Sequence, residues 1–165
     1  MRYALPILIR RNIKGWGVKM KAIDKSAVKI RRLTSNDITS TLGIWWSNIP
    51  DKDVMVAQLQ SPLDLSFIAE YEGILVGFIL AELQYAGFPT TGTGVVFLIA
   101  VNPDYQQHGI GTMLIEALEK YARSKDIGTI RVVVPQSDVK NIRYFTKAGF
   151  NKSIMINYDK TSRSQ

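Results

Sequence analysis

The sequence predicts an α/β domain in which a central mixed sheet is combined with helices. Three observations predict it. Two β-rich runs, Leu65 to Glu72 and Ile74 to Leu83, meet at Glu72-Gly73, a compact hairpin signal. The continuous apolar run Val95 to Val101 has the composition of a strand buried on both faces. That run leads through a glycine-containing loop into a long segment whose apolar residues recur at helical spacing. At 165 residues and 46% apolar content, the chain has interior enough for one domain.

The elements follow in order. Residues 1–27 read as a basic N-terminal extension and residues 28–160 as the folded domain. Within residues 1–32 ten Lys and Arg side chains face Asp24 alone, while the remainder holds eleven basic against thirteen acidic residues. A basic stripe of this kind suits a solvated leader or contact with an anionic polymer or lipid, and nucleic acid is the less favoured partner. Val28 to Leu33 alternates with period two as a strand does, and Thr34 to Asp37 supplies a helix N-cap. Ile38, Leu42, Trp45 and Ile49 form one helical stripe closed by Pro50, and a second short helix is expected over Asp51 to Gln60. After the hairpin, Tyr85 to Gly94 has the composition of a loop and the length of a substrate lip. Asn102 to Tyr105 is a turn. Beyond Gly109, Ile110, Leu114, Ala117, Leu118 and Tyr121 line one helical face while Glu116, Glu119, Lys120 and Arg123 take the other. Thr129 to Val134 reads as another buried strand, Pro135 to Asp138 opens a helix that runs to Lys147, and Phe150 to Tyr158 is expected to return as a strand. That last strand is an edge through which two copies of the chain can pair, so a homodimer is a possible assembly.

Composition narrows the chemistry. The absence of cysteine removes thiolate nucleophiles, disulfides and sulfur-ligated zinc, and the single histidine, His108, removes paired-imidazole metal sites, so no metal is expected. The longest apolar stretch, Gly73 to Ala81, is about half the length of a membrane-spanning helix. Ala4 to Ile9 is too short for a secretory signal core. A cytoplasmic protein with no membrane partner is the expectation.

Gln106 to Thr112, read QQHGIGT, lies between a buried strand and a helix N-terminus, where unpaired backbone N–H groups and the helix dipole converge. An anion belongs there. Gly109 and Gly111 let the main chain approach a diphosphate, and Thr112 adds a hydroxyl donor. A Walker loop would need a Gly-Lys pair at its end, and a dinucleotide fingerprint would need a third glycine where Leu114 stands.

The segment Val101 to Ile115, read VNPDYQQHGIGTMLI, resembles the acetyl-CoA motif of the GNAT N-acetyltransferases, Gln/Arg-x-x-Gly-x-Gly/Ala after a strand, with Gln106, Gly109 and Gly111 in the patterned places. Residues 141–150, read NIRYFTKAGF, resemble the family's second motif, a helix followed by Gly-Phe. The resemblance covers Val28 to Tyr158 in element order. It implies a GNAT-like three-layer fold with a central mixed, mostly antiparallel sheet flanked by helices, acetyl-CoA as co-substrate, and an amine as acceptor attacked directly without an acyl-enzyme. It further implies that Gln106, Gln107, His108, Gly109, Ile110, Gly111 and Thr112 hold the diphosphate. Pantetheine would pair with the strand at Ile99, Ala100 and Val101, where a backbone N–H polarises the thioester carbonyl. Asn141 and Phe145, four residues apart on one helical face, would line the same channel, although a plain core role suits Phe145 as well.

The acid and base positions depart from the family's pattern. The base position falls near Val95 and the tyrosine position on Phe145. Tyr144, one residue away, and Glu82, late in the neighbouring strand, are the candidate acid and base. Without a strong base, a lysine near pKa 10.4 is neutral in about one molecule in 2,500 at pH 7, against about one in seven for an α-amine near 7.8. Peptide N-termini and small amines are therefore expected to be better acceptors than lysine side chains. Trp46, Tyr85 and Phe88 are candidates for the acceptor groove, with Trp45 in the core. The competing reading is a binding module of the same fold that holds the cofactor without catalysis.

Overall fold

The computed structural model describes residues 23–37, 64–85 and 92–156. Five strands form one sheet in the order β1 (Val28–Arg32), β2 (Phe67–Tyr71), β3 (Ile74–Gln84), β4 (Thr93–Val101) and β5 (Thr129–Val132). The first three pairings are antiparallel and β4 runs parallel to β5. The expected mixed, mostly antiparallel sheet is thus present. Two helices follow β4: α1 (Ile110–Ser124) precedes β5 and α2 (Val139–Lys147) comes after it.

The β2–β3 hairpin closes as its sequence predicts. Glu72 and Gly73 both adopt positive φ, 52° and 77°, the backbone twist that a two-residue turn between right-twisted strands requires. β4 is crossed by α1, whose Ile110, Leu114, Leu118 and Ala122 are almost fully buried against Phe67, Ala69, Val76, Ile79 and Ile99. Alternation places Ile68, Phe78, Leu80 and Leu98 on the opposite face, and these are buried too. One glycine controls how closely the layers meet. A Cβ on Gly77 would stand 3.0 Å from the Ala100 carbonyl oxygen and 3.4 Å from Ile110 Cγ2, so its absence lets the start of α1 sit down on the ends of β3 and β4.

Ahead of β1, a 3₁₀ turn at Lys25–Ala27 is capped by Asp24, whose carboxylate accepts from the Ser26 N–H at 2.9 Å and hydroxyl at 2.7 Å. Ile23 packs against the core. At the other end of β1, Arg31 ties three segments together. Its guanidinium donates to both oxygens of Asp37, at 2.8 and 2.7 Å, and to Glu70 on β2 at 2.7 Å. Asp37 ends the described helical turn Ser35–Asp37 and also accepts from the N–H and hydroxyl of Thr34, each at 2.7 Å. This is the returning half of a capping box.

Three boundaries differ from the sequence expectation. β4 begins at Thr93, inside the stretch assigned to the loop. β5 stops at Val132 and is half-exposed rather than buried, because no strand covers its outer edge among the described residues. Residues 150–156 form no strand: Gly149, at φ 91°, turns the chain so that the Phe150 N–H donates to the Phe145 carbonyl at 3.0 Å, after which Ile154, Met155 and Ile156 are exposed. The dimer edge expected of Phe150 to Tyr158 therefore has no strand to supply it over its described part. Residues 1–22, the two helices expected between Ile38 and Gln60, Trp45, Trp46 and Phe88 lie outside the described residues. No helix among the described residues is long and apolar enough to cross a membrane.

Candidate functional site

β4 and β5 pair only from Thr93↔Thr129 to Val96↔Val132 and then part. From Phe97 to Val101 the β5-side edge of β4 has no neighbouring strand among the described residues, so the backbone of Ile99 and the Val101 N–H are presented to the gap; Asn102 donates to the Val76 carbonyl on β3, and alternation turns Ala100 towards β3 as well. A bulge marks the point of divergence. On the β3 side Leu80 pairs with Leu98 and Ala81 with Val96, which leaves Phe97 as the extra residue. Such a bulge bends one strand away from its partner.

Beyond the open edge, Asn102 caps the 3₁₀ turn Pro103–Tyr105 by accepting from the Asp104 N–H, and Gln106 Nε2 donates back to the Val101 carbonyl at 2.9 Å. These contacts hold the start of the loop. Gln107 and Gly109 then both take positive φ, 64° and 83°, so the chain curls and its N–H groups converge. Among the described residues, the backbone N–H groups of Gln107 through Thr112 donate to no protein acceptor, and Met113 is the first to donate, to the Gly109 carbonyl at 3.0 Å. Six consecutive free donors at the positive end of a fifteen-residue helix are a geometry that suits an anion. His108 lies on this loop with Nδ1 3.3 Å from the Tyr105 carbonyl oxygen.

α2 faces the same place. Its cap, Asp138, accepts from the Asn141 N–H at 3.1 Å and from Asn141 Nδ2 at 2.6 Å, so Asn141 is oriented and buried while its Oδ1 finds no partner. One turn later the Tyr144 hydroxyl stands 2.5 Å from the point a Cβ would occupy on Gly111, with Ile99 Cδ1 3.9 Å from that same point. The hydroxyl is buried and unpartnered, and burial pushes its pKa up to about 12. Tyr144 therefore stays protonated at neutral pH as a donor without an acceptor. Phe145 points into the core, 3% exposed, stacked edge-on against Tyr144 and Phe150 at 5.1 and 5.4 Å. The offset in the sequence thus places the phenol, not the phenyl ring, over the glycine loop.

The fold brings together Ile99, Gly111, Tyr144 and the loop. Glu82 stands apart from them. It pairs in register with Val95, its carboxylate accepts from Gln84 Nε2, and alternation puts it on the sheet face opposite α1 and Tyr144. The sheet itself lies between the two. Gly77, which seats α1, was not singled out as a site residue, and a glycine inside a strand run is the signal that marks it. A hollow of about 400 Å³ lined by Ala122, Arg123, Ile130 and Phe150 lies at the other end of α1, away from the loop. Among the described residues no group of His, Asp or Glu is assembled that can hold a metal ion.

Among the proteins similar to this chain are several named as acetyltransferases. The amino-acid acetyltransferase of Serratia proteamaculans is 26% identical over 161 residues, covering 89% of this chain and 34% of that protein. The mycothiol acetyltransferase of Stackebrandtia nassauensis is 27% identical over 92 residues, 55% of this chain and 29% of that protein. The chain spans about a third of the length of the curated relatives it matches. An aminoglycoside N-acetyltransferase solved with CoA superposes with a TM-score of 0.66 at 20% identity, over 82% of this chain and 95% of that one. An aminoglycoside 6'-N-acetyltransferase of Acinetobacter baumannii superposes at 0.67 with 17% identity, over 83% and 99%. These structures share the fold. The model of the acetyltransferase (GNAT) family matches residues 34–150, and the chain belongs to that family.

Proposed function

We propose that this chain transfers an acetyl group from acetyl-CoA to an amine, by direct attack, and prefers a small amine or peptide N-terminus to a lysine side chain. The observation that carries the proposal is the row of free N–H groups from Gln107 to Thr112 lying beside the buried, unpartnered phenol of Tyr144. The residues suit acetyl-CoA: the loop N–H groups take its diphosphate, the open β4 edge takes its amides, and the orphaned Tyr144 Oη and Asn141 Oδ1 await polar partners. When bound, acetyl-CoA supplies a thioester whose C–S bond breaks as the C–N bond forms.

The chain's own groups divide the proton work. Tyr144 holds a proton at Oη for the departing sulfur, and its raised pKa keeps that proton in place. Glu82, directly across from Val95, supplies a carboxylate on the strand pair where the family's base position is apolar. Gln106 fixes the loop, and the outward-facing backbone at Ile99 offers a carbonyl-polarising N–H. No Cys is present to carry the acetyl group. The preference for small amines is supported by the modest base and by the relatives, named for amino-acid and aminoglycoside acetylation.

The test is calorimetric titration of acetyl-CoA into the protein and into the Gly109→Trp, Gly111→Trp double variant, followed by thiol release with amino acids, aminoglycosides, N-terminal peptides and lysine peptides at pH 7. Binding lost in the variant and turnover highest on α-amines or small amines supports the proposal. Lysine peptides turning over faster than matched N-terminal peptides would overturn the acceptor preference. Binding with no turnover on any amine would establish the cofactor-holding module that Val95 and Phe145, at the family's acid–base positions, favour.

A further inference from the structure

The basic segment ahead of β1 is not used by the reaction described above, yet one of its cations reaches the loop. Lys25 lies in the 3₁₀ turn capped by Asp24, and its Nζ stands 3.6 Å, its Cε 3.8 Å, from the point a Cβ would occupy on Gly109. We propose that Lys25 is a diphosphate-binding residue of the acetyl-CoA site, closing over the open side of Gly109 so that the anion lies between its ammonium and the N–H groups of the loop. This rests on the acetyl-CoA reading above.

The placement follows from the fold. β1 begins with Val28 opposite Tyr71, the Tyr71 ring lies 5.9 Å from that of Tyr105, and Tyr105 leads directly into the loop. The turn at residues 25–27 and the loop at 106–109 therefore share one end of the sheet. Ile23 anchors the incoming chain in the core, and the Asp24 carboxylate is engaged by both donors of Ser26. Lys25 is thus directed to the loop by a fixed turn rather than by a floating leader.

Among the described residues the Lys25 ammonium makes no ion pair, no hydrogen bond and no cation–π contact, while the Lys25 backbone carbonyl accepts from the Val28 N–H. Arg31 and Arg32, further along on β1, are engaged by Asp37 and Glu70 and by the Tyr121 ring. Backbone N–H groups bring only partial charges to a dianionic diphosphate, and a full positive charge at this distance supplies what they lack. Lysine acts there as a point charge, which needs no fixed fork of donors. Gly109 matters twice: its φ of 83° excludes ordinary side chains, and the missing Cβ leaves room between ammonium and loop for phosphate oxygens.

The experiment titrates CoA and 3′-dephospho-CoA into the full chain and into Lys25→Ala, Lys25→Glu and Lys25→Arg, with a thermal melt of each. The expected result is about a tenfold loss of affinity for both ligands in Lys25→Ala, a larger loss in Lys25→Glu, and near-normal binding in Lys25→Arg, with melting unchanged in all three. The gap between the full chain and Lys25→Ala should close between about 0.05 and 0.5 M salt, as a charge contact requires. Loss for CoA alone would move the contact to the 3′-phosphate and overturn the assignment. Equal loss in Lys25→Ala and Lys25→Arg, or a lowered melting temperature, would make Lys25 structural and overturn it as well. Unchanged affinity in Lys25→Ala overturns it outright. Failure of the unsubstituted chain to bind either ligand would overturn the acetyl-CoA reading and this inference together.

Discussion

Tyr144 and Gly111 define each other. The phenol occupies the space a Cβ on Gly111 would need, and it is neutral because burial holds its pKa at about 12. If it delivers the proton to the sulfur, Tyr144→Phe should lower kcat by about 10²-fold while leaving the KM for acetyl-CoA within about twofold, since the loop N–H groups proposed to hold the diphosphate are untouched. The pH profile follows from the same shift. With the acid protonated far above neutrality, kcat/KM should rise through the pKa of the acceptor, about 7.8 for an α-amine, and stay level to about pH 10. An alkaline limb near pH 8 would assign the acid to another group. Gly111→Ala separates stability from chemistry. Alanine favours the helix by up to about 1 kcal/mol, yet its Cβ would displace the Tyr144 hydroxyl, so a melting temperature equal to or above that of the parent should accompany a fall in kcat.

Elements, rather than residues, decide how much of this was legible in advance. The hairpin at Glu72-Gly73, the buried strand ending at Val101, α1 and α2 are each written in local patterns, and each appears where the pattern puts it. The parting of β4 from β5 is not local. It depends on a bulge at Phe97 and on β5 stopping at Val132, and neither residue differs in kind from its neighbours. The same applies to residues 150–156, whose apolar composition suits a strand but whose neighbour strand is missing among the described residues. The one-residue offset between Tyr144 and Phe145 was visible as a conflict, and only the packing of Phe145 on Phe150 shows which ring turns inward. α2 carries this arrangement and is nine residues long, so its cap matters. Asp138→Ala removes the acceptor for two Asn141 donors, and a stability loss of about 1 kcal/mol should result. Because Asn141 and Tyr144 ride on that helix, the variant should also bind acetyl-CoA more weakly, which calorimetry beside a thermal melt will read.

At the scale of the molecule, the glycine loop and the sheet that carries it depend on β1 staying in place, and one charged cluster far from the loop secures that. Arg31 joins β1 to β2 through Glu70 and to the following helical turn through Asp37. Asp37 is 7% exposed, and hydrogen bonds from Arg31 together with those from Thr34 hold its carboxyl well below the usual carboxylate range, against the opposing effect of burial. The sign of the pH dependence follows. A carboxylate whose pKa is depressed on folding contributes stability that is fully present above its unfolded value of 3.8 and is lost as pH falls from there through the folded value. Asp37→Asn keeps the shape but abolishes the titration and weakens the Arg31 contacts. It should cost about 2 kcal/mol at pH 7, and the difference from the parent should shrink steadily below about pH 4 as the parent loses the same charge. Denaturant unfolding at pH 7, 5, 4 and 3 tests this, and a difference that stays constant to pH 3 would assign the effect of Asp37 to packing instead of charge.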